Sequence, residues 1–157
     1  MRILLIVGLM AGAANADECG AWRSEVWETE GGMRTTAYVC SETATEREAL
    51  LFVQCDDADT YALFYDDGGL GAPPGSDADY TGVFSFKTEE TTLDLTMTYQ
   101  GLDGTYYASM PKGVLERLFL SGPELVITPT DEGIYSQDFV MLGSATALVP
   151  VLADCLQ

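Results

Sequence analysis

The stretch TLDLTMTY, residues 92–99, decides the fold class of this 157-residue chain. Its apolar residues occupy every second position, and polar residues fill the positions between them. Because successive side chains of a β-strand point to opposite faces, this alternation predicts a strand with one buried and one solvated face. The turn sequence QGLDG, residues 100–104, leads on to Tyr106-Tyr107 and predicts a β-hairpin.

Similar short runs recur along the chain and predict a mainly β protein. Clusters of glycine, proline and aspartate separate the runs, as is typical of a mostly antiparallel sheet. The other predicted strands are residues 21–29, 34–40, 49–55, 60–65, 82–87, 104–108, 124–127 and 133–141. We expect an antiparallel β-sandwich or a flattened barrel with two short helices and two disulfides.

Two segments break the strand pattern and predict the helices. The first opens at residues 109–112 and ends before Gly122. The second covers residues 144–155, where Pro150 lacks a hydrogen-bond donor and predicts a kink or a later start. Residues 66–80, with their glycines and prolines, predict a long loop within a single domain.

The N-terminal segment, residues 1–16, has the features of a cleavable secretory signal peptide. Arg2 precedes a short apolar run, and small residues lead to a cleavage position after Ala16. The run is too short, and too interrupted by glycine, to anchor the chain in a membrane. We expect residues 17–157 to form one β-rich domain that is periplasmic or secreted.

The cysteines predict two disulfide bonds, because an exported chain meets an oxidising compartment and their number is even. Cys40 and Cys55 end neighbouring predicted strands, so we expect them to pair across a hairpin. Cys19 and Cys155 would then join the two ends of the mature chain. The two other connectivities stay open, since spacing does not exclude them.

The residue types argue against catalysis. The chain has no histidine, and disulfide-bonded cysteines cannot serve as nucleophiles or metal ligands. It therefore lacks the side chains most used for acid-base and nucleophilic chemistry near neutral pH, and those that bind zinc. We expect a protein that is not an enzyme and that carries no cofactor.

Acidic clusters raise the alternative of a calcium site. The best match to a calcium-binding loop begins at Asp77, with Asp79 and Gly82 at its third and sixth positions. Its twelfth position is Thr88, where such a loop needs a bidentate carboxylate, and residues 83–87 have the pattern of a strand. We expect solvated turn carboxylates and no metal site.

The charge of the chain limits the kinds of partner. It has 25 acidic and 7 basic residues, a formal net charge of −18. This charge repels nucleic acids and anionic lipids, so we expect neither as a partner, and it favours cationic proteins. Acidity also keeps exported proteins soluble, so it names no partner by itself.

The candidate partner-binding surface combines the acidic loop with nearby tyrosines. Core and cross-strand packing is expected to account for most of the aromatic residues. Those beside the loop and the first helix are left for recognition. The predicted residues are Asp66, Asp67, Asp77, Asp79, Tyr80, Tyr106 and Tyr107.

The C-terminal third carries a resemblance to a known family. A predicted helix GVLERL (113–118) is followed by a strand ELVI (124–127) and by FVMLGSATAL (139–148), which leads into the second helix. This succession resembles the invasion-associated locus B family of exported proteobacterial proteins. The resemblance implies a small disulfide-bonded β-sandwich without known catalysis, and no functional residue carries over.

These features predict a non-enzymatic periplasmic or secreted protein that binds another protein or an envelope component. The first alternative is an acidic inhibitor of a basic hydrolase such as a lysozyme, with residues 66–80 as the inserted loop. The second is a small hydrolase that uses two carboxylates across a cleft.

Overall fold

The computed structural model describes residues 18–42, 47–69, 79–101 and 104–157. The predicted signal peptide, residues 1–16, lies outside these ranges. Asp77 and most of the predicted loop 66–80 lie outside them as well.

The described residues form one antiparallel sheet, which confirms the predicted mainly β class. Its strands are β1 (Arg23–Thr29), β2 (Gly32–Ser41), β3 (Ala49–Asp57), β4 (Thr60–Asp66), β5 (Thr81–Lys87), β6 (Thr92–Gln100), β7 (Thr105–Pro111), β8 (Glu124–Pro129) and β9 (Gln137–Val140). Their order across the sheet is β1-β2-β3-β4-β7-β6-β5-β8-β9. The sheet has two open edges, β1 and β9, and it curls so that β9 comes close to β2. The result is a flattened, sandwich-like sheet and not a closed barrel.

Strand β6 shows the alternation that its sequence predicts. Met97 is buried and Leu93 and Leu95 are partly buried, whereas Asp94 and Thr96 between them are exposed. β6 pairs with β5 on one side and with β7 on the other. The predicted hairpin therefore lies in the middle of the sheet.

Two helices, α1 (Lys112–Phe119) and α2 (Ser144–Cys155), pack on one face of the sheet. This face is called the inner face, and the opposite one the outer face. α2 lies across β1, β2 and β3, and α1 lies beside β4 and β7. The fully buried large side chains of the core are Tyr61, Tyr65, Phe84, Phe86, Phe119, Phe139, Leu51, Leu63, Met97, Met110, Leu115 and Leu118.

The helix boundaries differ from the predicted ones. β7 continues through Pro111, whose backbone is extended (φ −59°, ψ 139°), so α1 begins at Lys112 and not at residues 109–111. α2 begins at Ser144 and includes Pro150, so the expected later start is wrong. The proline costs the helix one hydrogen bond, and the buried contacts of Leu148 and Val151 on either side of it hold the helix on the sheet.

The two predicted disulfides are present, but the predicted pairing is wrong. The bonds are Cys19–Cys40 and Cys55–Cys155. The register of β2 on β3 places Cys40 opposite Leu50. Leu50 and Cys55 are an odd number of residues apart, so their side chains point to opposite faces, and roughly 17 Å of strand separates them. Cys55 therefore meets α2 on the inner face, where Cys155 lies.

Two disulfide bonds fit an oxidising compartment outside the cytoplasm. None of the helices in the described part of the chain is long and apolar enough to cross a membrane.

Candidate binding groove on the outer face

Five aromatic side chains form a continuous row across the outer face of the sheet. The row, called the aromatic row, consists of Tyr38, Trp27, Phe52, Phe64 and Tyr107. Its neighbouring ring centroids are 5.1, 5.4, 4.6 and 5.3 Å apart in that order. Each residue is partly exposed. The row therefore presents an apolar surface that the helices do not cover.

The sequences of β3 and β4 explain why this apolar surface exists. Both strands carry apolar residues at consecutive positions, so both of their faces are apolar. Leu51 and Leu63 turn inward and are fully buried. Phe52 and Phe64 turn outward, directly opposite each other in the register, and their rings stack with only 6° between their planes.

A groove of about 560 Å³ runs along this row. Trp27, Phe52 and Phe64 give it an apolar floor, and residues 28–31, at the end of β1 and in the turn that follows it, form one wall. The remaining lining residues are Leu50, Gln54, Asp66, Gln100 and Thr105. None of the residues that line the groove in the described part of the chain is basic, and three of them, Glu28, Glu30 and Asp66, are acidic.

Asp66 is the acidic residue most firmly held in the groove. Its Oδ2 atom accepts a hydrogen bond from Nη2 of Arg47 at 2.8 Å, and its Oδ1 atom accepts one from the Gly68 N–H at 2.9 Å. Burial raises the pKa of this carboxyl above its ordinary value, and the Gly68 N–H and the Arg47 cation partly oppose that rise. Asp66 therefore has a fixed position and already binds one guanidinium group.

The opposite end of the aromatic row is fixed by Asp56. Its Oδ2 atom accepts a hydrogen bond from the Ser109 hydroxyl at 2.8 Å and lies 3.4 Å from the Tyr107 hydroxyl oxygen. Burial, followed by the negative charge of Asp56, raises the pKa of Tyr107. Tyr107 therefore stays neutral at physiological pH.

The structure does not bring the predicted partner-binding residues together on one surface. Tyr106 and Tyr107 are successive residues of β7, so they point to opposite faces. Tyr106 is 2% exposed and belongs to the core. Asp67 is also buried, and its carboxylate accepts hydrogen bonds from the N–H groups of Gly69 and Tyr135. Both side chains are therefore buried, away from the surface that a partner would contact.

The other predicted residues lie in different places. Asp66 and Tyr107 are on the outer face, at the groove and at the end of the row. Tyr80 donates a hydrogen bond to Asp131 at 2.5 Å, and its ring contacts that of Tyr106 with centroids 6.1 Å apart. Asp79 is exposed. Asp77 lies outside the described residues, and residues 81–87, the later part of the calcium-binding loop considered above, form strand β5.

Sequence reasoning missed Trp27, Phe52 and Phe64 as surface residues. For Phe52 and Phe64 the signal was available in the consecutive apolar residues 50–53 and 62–65, which exceed what a strand with one buried face needs. It also missed Glu28 and Glu30, because no pattern shows that a hairpin turn faces an aromatic row.

Metal chemistry finds little support in the described residues. The only group of three potential metal ligands found among them consists of Cys19, Cys40 and Glu48. Both of its cysteines are joined in a disulfide, so neither offers a thiolate.

A second, smaller cleft of about 180 Å³ lies between α1 and α2. Its lining is largely aliphatic, with Leu120, Val149 and Leu152, and Glu116 as the one charged residue. The outer-face groove is larger and combines aromatic, amide and carboxylate groups. It is therefore the stronger candidate for specific recognition.

The fold and the groove define a disulfide-stapled antiparallel β protein with an exposed aromatic surface. Among solved structures, the chain is similar to invasion associated protein B from Bartonella henselae, with a TM-score of 0.59 and 10% sequence identity. The similarity covers 88% of this chain and 96% of that one. At this identity the likeness concerns the fold alone, and it agrees with the resemblance of the C-terminal third. No protein-family model and no curated protein matches the sequence.

Proposed function

We propose that this protein is a non-enzymatic, exported binding protein that recognises a protein or an envelope component through the aromatic groove. The observation that carries the proposal is the partly exposed aromatic row on a face that neither described helix covers. Large aromatic side chains left at the surface are typical of binding sites. The similar protein from Bartonella henselae is described as invasion associated, which supports an accessory role outside the cytoplasm.

The scaffold suits binding without an induced change of shape. The groove crosses paired strands, and one disulfide ties β2 to the N-terminal segment while the other ties β3 to α2. A rigid site loses little conformational entropy when it binds a partner. The aromatic residues of the row can therefore contribute directly to affinity.

The absence of histidine from the sequence and the oxidised state of all four cysteines support a non-enzymatic role. Carboxylates are the main acid-base groups that remain. Asp66, the one most firmly held in the groove, is paired with Arg47. A hydrolase with two facing carboxylates would need both of them held in place across a cleft, whereas Glu30, across the groove from Asp66, is exposed on a turn.

The net charge of −18 also supports the alternative, an inhibitor of a basic hydrolase. The proposed inserted loop has less support from its described residues. Asp66 is paired with Arg47, and Asp67 is buried, so neither is presented at the tip of a loop. An inhibitor that used the outer-face groove would be one case of the binding function proposed here.

A photo-crosslinking experiment tests the binding function. Benzoylphenylalanine is introduced at Glu30, on the groove, and at Tyr135, an exposed position outside it, and the chain is irradiated in the exporting cells. We expect a partner to crosslink from position 30 and not from position 135. The partner is identified by mass spectrometry, purified and titrated against the wild type and Trp27→Ala.

Loss of a central aromatic contact typically weakens an interface about tenfold or more, so Trp27→Ala should lose at least that much affinity. Tyr135→Ala is the matched control and should bind as the wild type does. Equal binding by wild type and Trp27→Ala, or equal crosslinking from both positions, would contradict the groove as the binding site.

A further inference from the structure

We infer that the groove receives arginine or lysine side chains from an extended, cationic segment of a partner protein. This inference rests on the proposed function and adds the chemistry of the partner. It follows from the way in which apolar and acidic groups are arranged around the groove.

The floor of the groove suits the apolar part of a long basic side chain. Trp27, Phe52 and Phe64 contact one another in a row, and each is partly exposed. Arginine and lysine carry a flexible apolar stem that packs on such a surface while the charged head stays near water. An indole ring also attracts a cation that lies over its face.

The rim of the groove suits the charged head of the same side chain. Glu30 is exposed on the turn between β1 and β2, and Asp66 lies on the strand across the groove. The apolar floor lies between these carboxylates. An amphipathic cation can therefore pack its stem on the rings and reach a carboxylate at the edge.

The chain itself shows that this rim accepts a guanidinium group. Arg47 lies 2.8 Å from the Oδ2 atom of Asp66 and donates a second hydrogen bond, also of 2.8 Å, to the Gly69 carbonyl. Its side chain is 46% exposed. A second basic residue, Arg34, lies near Gly31 on the turn wall. A bound partner would place its own cations beside the acidic groups that lie between Arg34 and Arg47.

The ring geometry favours a basic side chain over a sugar. The planes of Phe52 and Phe64 differ by 6° and their centroids are 4.6 Å apart, so each ring covers a face of the other. A sugar stacks on a free aromatic face, and the pair leaves mainly its edges at the floor. Methylene groups pack against edges and faces alike.

A titration with defined probes tests the inference. The probe is an extended peptide of alternating glycine and arginine, and its control replaces each arginine with citrulline, which is neutral and of similar shape. Amide shifts of the isotope-labelled mature chain report the site, and calorimetry reports the affinity. We expect the arginine peptide to shift groove residues and the citrulline peptide to bind at least about tenfold more weakly.

Matched charge variants separate the groove from the general acidity of the chain. Glu30→Gln should weaken binding of the arginine peptide by about fivefold, whereas Glu90→Gln removes the same charge elsewhere and should change it less than about twofold. Equal losses would overturn the inference, because the long-range field alone would then explain binding. Equal affinity for the citrulline peptide would overturn it as well.

The outcomes also separate this inference from the proposed function. If a chitin or peptidoglycan oligosaccharide shifts the groove residues and the arginine peptide does not, the cationic partner is wrong and the binding function stands. If neither probe shifts the amide signals of the groove residues and no partner crosslinks from position 30, both the cationic partner and the binding function are wrong. Circular dichroism confirms that each variant is folded before it is titrated.

Discussion

The two faces of strands β3 and β4 carry similar side chains in different surroundings. On the inner face, Leu51 and Leu63 are fully buried within the core that the helices close. On the outer face, Phe52 and Phe64 stack on each other and remain partly exposed. Burial of the inner face supplies the hydrophobic free energy that folding needs. The outer aromatic residues exceed that need, and this excess is the reason that we propose the face as a binding surface.

The two disulfides divide between the same two faces. Cys55 lies on the inner face and binds Cys155 of α2, so this bond holds the helix over the core. Cys40 has the same parity along β2 as Tyr38 on the outer face, and it binds Cys19 of the N-terminal segment. Removing each bond in turn therefore tests one face at a time.

The largest effect is expected from the bond on the inner face. Cys55–Cys155 closes a loop with a sequence separation of 100, and Cys19–Cys40 one of 21. Loop entropy predicts losses of about 5 kcal/mol and about 3 kcal/mol in the free energy of unfolding when each pair is changed to alanine. Guanidinium unfolding of the two double variants measures the difference. A larger loss for the Cys19–Cys40 pair would show that the outer staple, and not the helix over the core, limits stability.

The second-largest effect compares the stability contributed by the inner and outer faces at two adjacent residues of β4. Leu63→Ala should lower the free energy of unfolding by about 3 kcal/mol, because it leaves a cavity in a fully buried site. Phe64→Ala should lower it by only about 1 kcal/mol, since a stacked pair at the surface is lost. Urea unfolding measures both. Equal losses would mean that the aromatic row is structural, and the main argument for a binding groove would fail.

Strands could be predicted from the sequence where one of their faces is buried and the other is exposed to solvent. That condition leaves the period-two pattern of β6 in the residue types themselves. The disulfide pairing could not be predicted in the same way. It depends on the register that sets Cys40 opposite Leu50, and on the helix that carries Cys155 back to β3. Both are long-range facts that spacing along the chain does not contain.

The candidate site was only partly visible in the sequence. Asp66 and Tyr107 were predicted and lie on the outer face, but Tyr106 was grouped with Tyr107 although strand neighbours point to opposite sides. Phe52 and Phe64 could have been found, because a strand that is apolar on both faces must bury or present the second one. The position of the acidic turn beside the row depends on the pairing of β1, β2 and β3, which no local pattern encodes.

The smallest effect concerns the acidic rim and follows from the pKa of Asp66. Burial raises this pKa in the folded state, so the folded chain binds the proton more tightly than the unfolded chain does. The contribution of this group to stability should therefore be present at acidic pH and be lost as the pH rises through the folded-state pKa. Urea unfolding should show wild type and Asp66→Asn equally affected at the most acidic pH, and a growing relative loss of stability in the wild type as the pH rises to that pKa.

Binding should change in the opposite direction over the same range. Because a cationic side chain needs the ionised carboxylate, the affinity for the arginine peptide should fall by about threefold as Asp66 is protonated. Arg47 and Asp67 also act on this carboxyl, so Glu90→Gln, which leaves all three in place, is the control. Asp66→Asn should remove this step from the pH profile of binding, and Glu90→Gln should retain it. If the step survives in Asp66→Asn, the cation is held by a carboxylate of the turn between β1 and β2, and not by Asp66.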